Sequence, residues 1–215
     1  MLTNITLDTI APVFLEEEKM EGSGIWNNHV TFNRGENIQL VAPSGSGKTS
    51  LIHFLYGERK DYNGSIFFDN KELKRITPEQ LSITRSVNNS IIFQDLRLFH
   101  DHTVLQNIDI KRSLHPYHSG SKIAEMASRL GIHSKLNKLV KTCSYGEQQR
   151  VAIIRSLQQP FDFLLMDEPF SHLDEDNRIK AMELIQEEAT IRNAGIIFAD
   201  LNIIPYFNAT RVIQL

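Results

Sequence analysis

Several features are scarce in this sequence of 215 residues, and each scarcity excludes a class of protein. Its one cysteine, Cys143, cannot form a disulfide within the chain, which fits a reducing compartment. No dense cluster of lysine and arginine occurs and the formal net charge is −3, so we expect no nucleic-acid partner. No apolar run is long enough for a membrane span, and we expect no signal peptide. If the protein works at a membrane, another protein must hold it there.

The composition is that of a folded domain, with 41% hydrophobic and 23% charged residues. Short apolar runs alternate with segments of helical pattern, which predicts an α/β protein with a parallel sheet covered on both faces. Strands are expected at 5–10, 30–32, 37–41, 66–68, 91–93, 161–166, 195–199 and 211–215. Long helices are expected at 145–159 and 174–193.

The segment from about Asp95 to Cys143 carries helix signals and no good strand. Thr103 followed by Gln106 is typical of a capping box that opens a helix. An amphipathic pattern over 121–130 ends at Gly131, which is typical of a helix terminus. We therefore predict a helical insertion between two strands of one sheet.

A loop of small residues follows the strand expected at 37–41 and precedes a helix. It fits the phosphate-binding pattern G-x-x-x-x-G-K-[ST], except that Ala42 replaces the first glycine. Loop amides at a helix N-terminus bind phosphate, while Lys48 would reach the β and γ phosphates and the Thr49 hydroxyl would bind Mg²⁺. The alternative is a glycine-serine turn that caps an ordinary helix. The candidate ATP-binding residues are Ala42, Pro43, Ser44, Gly45, Ser46, Gly47, Lys48, Thr49 and Ser50.

Two carboxylates, Asp167 and Glu168, end another apolar strand. Ligands bind at the carboxyl ends of parallel strands, so Asp167 would face the phosphate loop and hold Mg²⁺ through water. Glu168 would lie beside the γ-phosphate and polarise the attacking water, which makes it the candidate catalytic residue. The alternative is a solvated turn, since Asp-Glu-Pro is favourable turn chemistry.

Further motifs accompany these two in a fixed order. Gln94 ends an apolar strand, Cys-Ser-Tyr-Gly-Glu-Gln-Gln-Arg occupies 143–150, and Ser-His-Leu-Asp occupies 171–174. With the phosphate loop and the acidic pair, this series resembles the nucleotide-binding subunits of ABC transporters over nearly the whole chain. Gln94 resembles the Q-loop glutamine, 143–150 the family signature, and 171–174 the D-loop.

The resemblance implies further site residues. Gln94 would contact Mg²⁺ and sense a membrane partner. Ser144, Gly146 and Glu147 would meet the γ-phosphate bound by the other subunit of a head-to-tail dimer. Ser144 and Glu147 also form the pattern of a capping box, and both roles are compatible.

An aromatic residue stacks on adenine in this family. Phe14 lies near the corresponding position, with Trp26 as a rival. Either ring would bind by stacking, so the choice between them stays open at this point.

The resemblance also implies an architecture and partners. A P-loop NTPase (RecA-like) core would carry an N-terminal antiparallel β subdomain and an inserted α-helical subdomain. The chain would be one ABC ATPase domain, 1–215, with an ATP-binding core at 1–94 and 144–215 and a helical subdomain at 95–143. ATP and Mg²⁺ would be its ligands. A second copy and an integral membrane permease would be its partners, holding it on the cytoplasmic, inner face of the cell membrane.

The segment 93–99, with Asp101, Thr103, Val104 and Asn107, is most similar to ATPases of lipoprotein release, macrolide export and cell division. This implies an ATPase that drives export or lipoprotein extraction. Two alternatives remain: a cell-division-type regulator without transport, and a nucleotide-binding interaction module with weak hydrolysis.

Two departures from the family pattern bear on hydrolysis. The signature has Cys143 and Tyr145 where the family has leucine and glycine. Ala199 stands at the position of the family's switch histidine, and none of the eight histidines falls there. Losing one transition-state contact costs on the order of 10²–10³ in rate, so we expect ATP binding with slow hydrolysis unless a partner compensates. Whether His172 takes over this role is left open.

Overall fold

Nine strands and six helices build the computed structural model, which describes residues 1–215. The strands are β1 (Asn4–Pro12), β2 (His29–Asn33), β3 (Asn37–Val41), β4 (Tyr62–Phe68), β5 (Lys71–Glu72), β6 (Asn89–Ile92), β7 (Phe163–Asp167), β8 (Gly195–Asp200) and β9 (Arg211–Gln214). The helices are α1 (Lys48–Leu55), α2 (Pro78–Val87), α3 (Val104–Leu114), α4 (Gly120–Arg129), α5 (Tyr145–Ser156) and α6 (Glu175–Arg192).

The strands form two sheets of different type. An antiparallel sheet has the order β2-β1-β4-β5, and a parallel sheet has the order β6-β7-β8-β3-β9. Both faces of the parallel sheet are covered, because successive side chains of one strand point to opposite faces and pack into different hydrophobic clusters. Leu165 of β7 belongs to the cluster that contains α1 and the antiparallel sheet, whereas Leu164 belongs to the cluster formed with α3 to α6. The predicted α/β architecture is therefore confirmed.

Helix starts follow the capping signals of the sequence. Capping boxes open α2, α3 and α5, with Thr77, Thr103 and Ser144 as the cap residues. The segment between β6 and α5 contributes no strand to either sheet and contains α3 and α4. The predicted helical insertion is thus present, whereas the division into subdomains at 94/95 and 143/144 stays a prediction.

Several predicted boundaries are wrong: β4 begins at Tyr62 rather than at 66, and β1 extends to Pro12 rather than ending at 10. Two further differences have a visible local cause. β7 begins at Phe163 rather than at 161, because the amides of Asp162 and Phe163 both donate to the carbonyl of Asn88. α5 ends at Ser156 rather than at 159. Beyond it the backbone amides of Leu157 and Gln158 bond to carbonyls three residues back, and the buried side-chain amide of Gln159 donates to two backbone carbonyls outside the helix. No helix has both the length and the apolar character that crossing a membrane requires.

Candidate active site

The loop between β3 and α1 has the backbone geometry that phosphate binding requires. Gly45 and Gly47 have φ of +83° and +96°, which side chains other than glycine rarely adopt. Ala42 does not have a positive φ, so replacing glycine there imposes no strain. No side chain caps α1, which leaves its first amides available to an anion.

Lys48 is buried beneath this loop. Its Nζ donates to the carbonyls of Ala42 at 2.8 Å and Pro43 at 3.0 Å. The same nitrogen lies 3.7 Å from a carboxylate oxygen of Glu168. The loop carbonyls therefore hold the ammonium group between the crest of the loop and the acidic end of β7.

Asp167 is an uncompensated buried carboxylate. It is fully buried, and neither of its oxygens has a hydrogen bond of normal geometry. Burial raises its pKa to about 6, and the neighbouring Thr49 hydroxyl offsets only part of that effect. Oxygen ligands without donors suit a hard divalent cation, so the side chains present here fit Mg²⁺.

Glu168 directly follows β7 in an uncommon conformation. Its φ is +44°, and its amide donates to the carbonyl of Ala199 at 3.0 Å. Positive φ at a residue other than glycine costs energy and is often found at functional positions. Here the turn directs the carboxylate into the same cleft as Lys48.

That cleft has a volume of about 310 Å³ and collects most of the predicted ATP-binding residues. Leu201 also lines it and was missed in the sequence, although its place just beyond the carboxyl end of β8 was a usable signal. A larger cavity of about 690 Å³ lies between α3 and α4 and contains none of the predicted site residues. The cleft is lined by Phe14, Ser44, Gly45, Gly47, Lys48, Thr49, Ser50, Gln94, Glu168 and Leu201.

The two candidate adenine-stacking residues occupy different environments. Trp26 is only 1% exposed, and its Nε1 donates to the carbonyl of Ser46 at 3.2 Å. A Cβ at Gly47 would lie 2.9 Å from the Trp26 ring, so this tryptophan supports the loop from below. Phe14 is 50% exposed at the cleft, with the guanidinium of Arg59 4.6 Å from its ring centroid. Only the Phe14 ring is free to stack on a base, and Arg59 is a neighbour that the sequence did not reveal.

The signature segment forms the start of α5 and does not line the cleft. The Ser144 hydroxyl accepts from the amide of Glu147 at 3.3 Å, and a Glu147 carboxylate oxygen accepts from the amide of Ser144 at 2.8 Å. The helix-capping role of these two residues is therefore present. Within one chain, the structure does not bring Ser144, Gly146 and Glu147 to the residues of the phosphate loop.

The chain matches the family model described as "ABC transporter" over residues 26–171. It is 36% identical to the lipoprotein-releasing system ATP-binding protein LolD of Buchnera aphidicola subsp. Schizaphis graminum, covering 72% of this chain and 69% of that protein. It is 31% identical to the cell division ATP-binding protein FtsE of Bacillus subtilis, covering 77% and 72%.

Among solved structures, the fold matches the dimeric structure of MJ0796, a bacterial ABC transporter cassette. The TM-score is 0.83 at 24% identity, over 98% of this chain and 94% of that one. The fold and family expected from the sequence are confirmed. The chain belongs to the ABC transporter family and is one of its nucleotide-binding subunits with ATPase activity.

Proposed function

We propose that this subunit binds Mg-ATP in the cleft of the phosphate loop and hydrolyses it while paired with a second copy on a membrane permease. The observation that carries the proposal is the fully buried Asp167 carboxylate, which has the Thr49 hydroxyl beside it but no hydrogen bond of normal geometry to either oxygen. Asp167 neighbours Thr49, which lines the cleft together with Lys48 and Glu168. A divalent cation would supply the missing partner of this carboxylate.

Each residue has a distinct part in this proposal. The loop amides and the start of α1 bind the phosphate oxygens, and Lys48 exchanges its bonds to Ala42 and Pro43 for contacts with the β and γ phosphates. Thr49, Asp167 and Gln94 would hold the metal, which would neutralise phosphate charge when bound. Glu168 orients the attacking water and accepts its proton. Phe14 stacks on the adenine.

The second half of the nucleotide site is proposed to come from a second copy of the chain. The signature segment is exposed at Ser144 and lies outside the cleft, as expected for residues that serve another subunit's nucleotide. Ser144, Gly146 and Glu147 would contact that γ-phosphate. The subdomain division at 94/95 and 143/144 is part of the same proposal.

The membrane partner is proposed by analogy with the relatives. One is named a subunit of a lipoprotein-releasing system, and another a cell division protein. We propose export or lipoprotein extraction, at the inner face of the cell membrane. A cell-division-type regulator without transport is the second candidate. Ala199 favours a third, a nucleotide-dependent interaction module with little turnover.

Glu168→Gln tests the chemistry. The variant keeps the size of the side chain but removes the base, so we expect Mg-ATP binding and ATP-dependent dimerisation to persist while phosphate release stops. Glu183→Gln, at an exposed position on α6, is the matched control and should hydrolyse ATP normally. A Glu168→Gln variant as active as the control would refute the assigned mechanism.

A second measurement separates the candidate functions. ATP turnover is compared for the purified subunit and for its complex with the co-purified membrane protein. Stimulation by a multi-span membrane protein supports the permease-coupled ATPase. Tight Mg-ATP binding and dimerisation with negligible phosphate release in both forms would favour the interaction module instead.

A further inference from the structure

We propose that Tyr145 is a positioning residue that ties the Gln94 loop, residues 93–103 between β6 and α3, to the start of α5 and to the loop that follows β7. This inference rests on the proposed function for its link between two nucleotide sites. Tyr145 is the first residue of α5 and is 42% exposed. The family pattern has a glycine here, which has no side chain for either contact described below.

Two contacts of the Tyr145 side chain join three segments. Its hydroxyl donates to the backbone carbonyl of Gln94 at 3.2 Å. Its ring lies on the imidazole of His172, with centroids 4.3 Å apart and planes inclined at 57°. A phenol that donates at one end and packs an aromatic face at the other can hold both neighbours in one geometry.

His172 is itself fixed to α5. Its Nδ1 is 2.9 Å from the Ser171 hydroxyl, which accepts from Nε2 of Gln149 at 3.0 Å. The Gln149 Oε1 accepts from the His172 amide at 3.1 Å, and Gln149 is fully buried. Tyr145 therefore packs against the His172 ring, whose position is fixed by hydrogen bonds to the buried Gln149.

The Gln94 loop needs such a support. Gln94 is exposed, and the two residues Leu96 and Arg97 that follow shortly after have φ of +58° and +47°. Residues in this region persist only where surrounding structure holds them. The guanidinium of Arg155 on α5 holds the carbonyls of Leu96 and Arg97. The bond from Tyr145 adds a hold on the Gln94 carbonyl, next to the cavity that Gln94 and Glu168 line.

The same side chain lies in the signature segment that is proposed to meet the nucleotide of the other subunit. A shift of Gln94 on its own nucleotide would move Tyr145, and with it the surface offered to the other nucleotide. Tyr145 thus makes the response of the two sites interdependent, whereas a glycine would leave the Gln94 loop free to move alone.

Tyr145→Phe tests this proposal, because it removes the hydroxyl and keeps the ring on His172. In the protein or its membrane complex, we expect kcat to fall by about three- to tenfold, the range for one partly exposed hydrogen bond. The Mg²⁺ concentration for half-maximal turnover should rise, while KM for ATP and the melting temperature stay unchanged.

Tyr145→Gly should show a larger loss of kcat than Tyr145→Phe and a reduced Hill coefficient for ATP. Tyr117→Phe, at a tyrosine that packs on His118 and Arg192, is the control.

Wild-type kcat and Mg²⁺ dependence in Tyr145→Phe would overturn the proposal. So would a Tyr145→Gly variant that turns over faster than the wild type, or a loss explained wholly by a lower melting temperature. A negative result for Tyr145 can be told apart from a negative result for the proposed function. Glu168→Gln stays inactive and dimerises with ATP whether or not Tyr145 acts as a link.

Discussion

Asp167 on β7 and Ala199 on β8 are register partners in the parallel sheet, and the amide of Glu168 donates to the carbonyl of Ala199 at 3.0 Å. Side chains of register partners project to the same side of a sheet. The methyl group of Ala199 therefore lies on the side where Asp167 approaches the phosphate loop. A histidine at this position would project from the same side of the sheet as Asp167.

Ala199→His is expected to increase ATP turnover by about tenfold or more, since one well-placed transition-state contact is worth on the order of 10²–10³ in rate. Ala199 is fully buried, so the larger ring should also lower the free energy of unfolding by about 1–3 kcal/mol. Phosphate release at saturating Mg-ATP and chemical denaturation measure the two effects. Ala199→Val is the matched control, because it overpacks the site without adding a donor. Equal turnover in the two variants would show that a histidine here contributes nothing.

Phe14→Ala is expected to weaken Mg-ATP binding by about 1–3 kcal/mol, the usual value of one base–aromatic stack. This corresponds to a rise in Kd of about fivefold to a hundredfold, measured by titration calorimetry. Stability should change little, because the ring is half exposed. Arg59→Ala should weaken binding less, since Arg59 packs on Phe14 and donates to the Ser50 hydroxyl at 3.0 Å but does not itself line the cleft. Phe99→Ala, at another exposed phenylalanine, is the control. Unchanged affinity in Phe14→Ala would remove this ring from the site.

Glu188→Ala is expected to lower the free energy of unfolding by about 3–5 kcal/mol, because it leaves the buried Arg192 without its carboxylate. Burial opposes ionisation of Glu188, but hydrogen bonds from His118 and Arg192 outweigh it and hold its pKa below the ordinary value. The network therefore stabilises the protein above about pH 4.3, the ordinary glutamate pKa, and that stability is lost as the pH falls further.

The control for this network is Glu187→Ala on the same helix. Glu187 pairs with Arg129 at 2.6 Å but is partly exposed, so we expect a cost below about 1 kcal/mol. Urea denaturation of both variants between pH 3 and pH 7 provides the measurement. Equal costs at neutral pH would contradict the role of Glu188.

Lys111→Met is expected to stabilise the protein at neutral pH by about 1–2 kcal/mol. Burial, together with the charges of Arg155 and Arg85, lowers the pKa of Lys111 to about 8. Above that pH the folded protein binds fewer protons than the unfolded chain, so wild-type stability rises from about pH 8 to about pH 10. The advantage of the variant should therefore shrink over that range in denaturation curves. Lys138→Met, at an exposed position, should show no such trend. A constant difference across the range would refute the prediction.

The sequence predicted those parts of the site whose residues are adjacent in the chain. The phosphate loop at Ala42–Ser50 and the pair Asp167–Glu168 each form a contiguous pattern, so their placement at strand ends followed from local signals. The capping boxes of α2, α3 and α5 were likewise local.

Contacts between distant segments could not be predicted in this way. The Tyr145 hydroxyl and the Gln94 carbonyl are 51 positions apart, and neither residue type implies the other. Arg59 lies beside Phe14 because the segments after α1 and β1 run together there, with the amide of Val13 donating to the carbonyl of Asp61 at 3.1 Å. The two-residue strand β5 is too short for a periodic pattern. The choice between Phe14 and Trp26 depended on which ring the core buries, a tertiary property.

Trp26 is the single tryptophan of the chain, and it lies against Gly47 with its indole nitrogen bonded to the Ser46 carbonyl. The protein therefore contains its own optical probe at the floor of the phosphate loop. Because no other indole contributes, emission excited at the red edge of the absorption band reports on this one contact. Any rearrangement of the loop changes the polarity around the ring and can be followed in real time, without an attached dye.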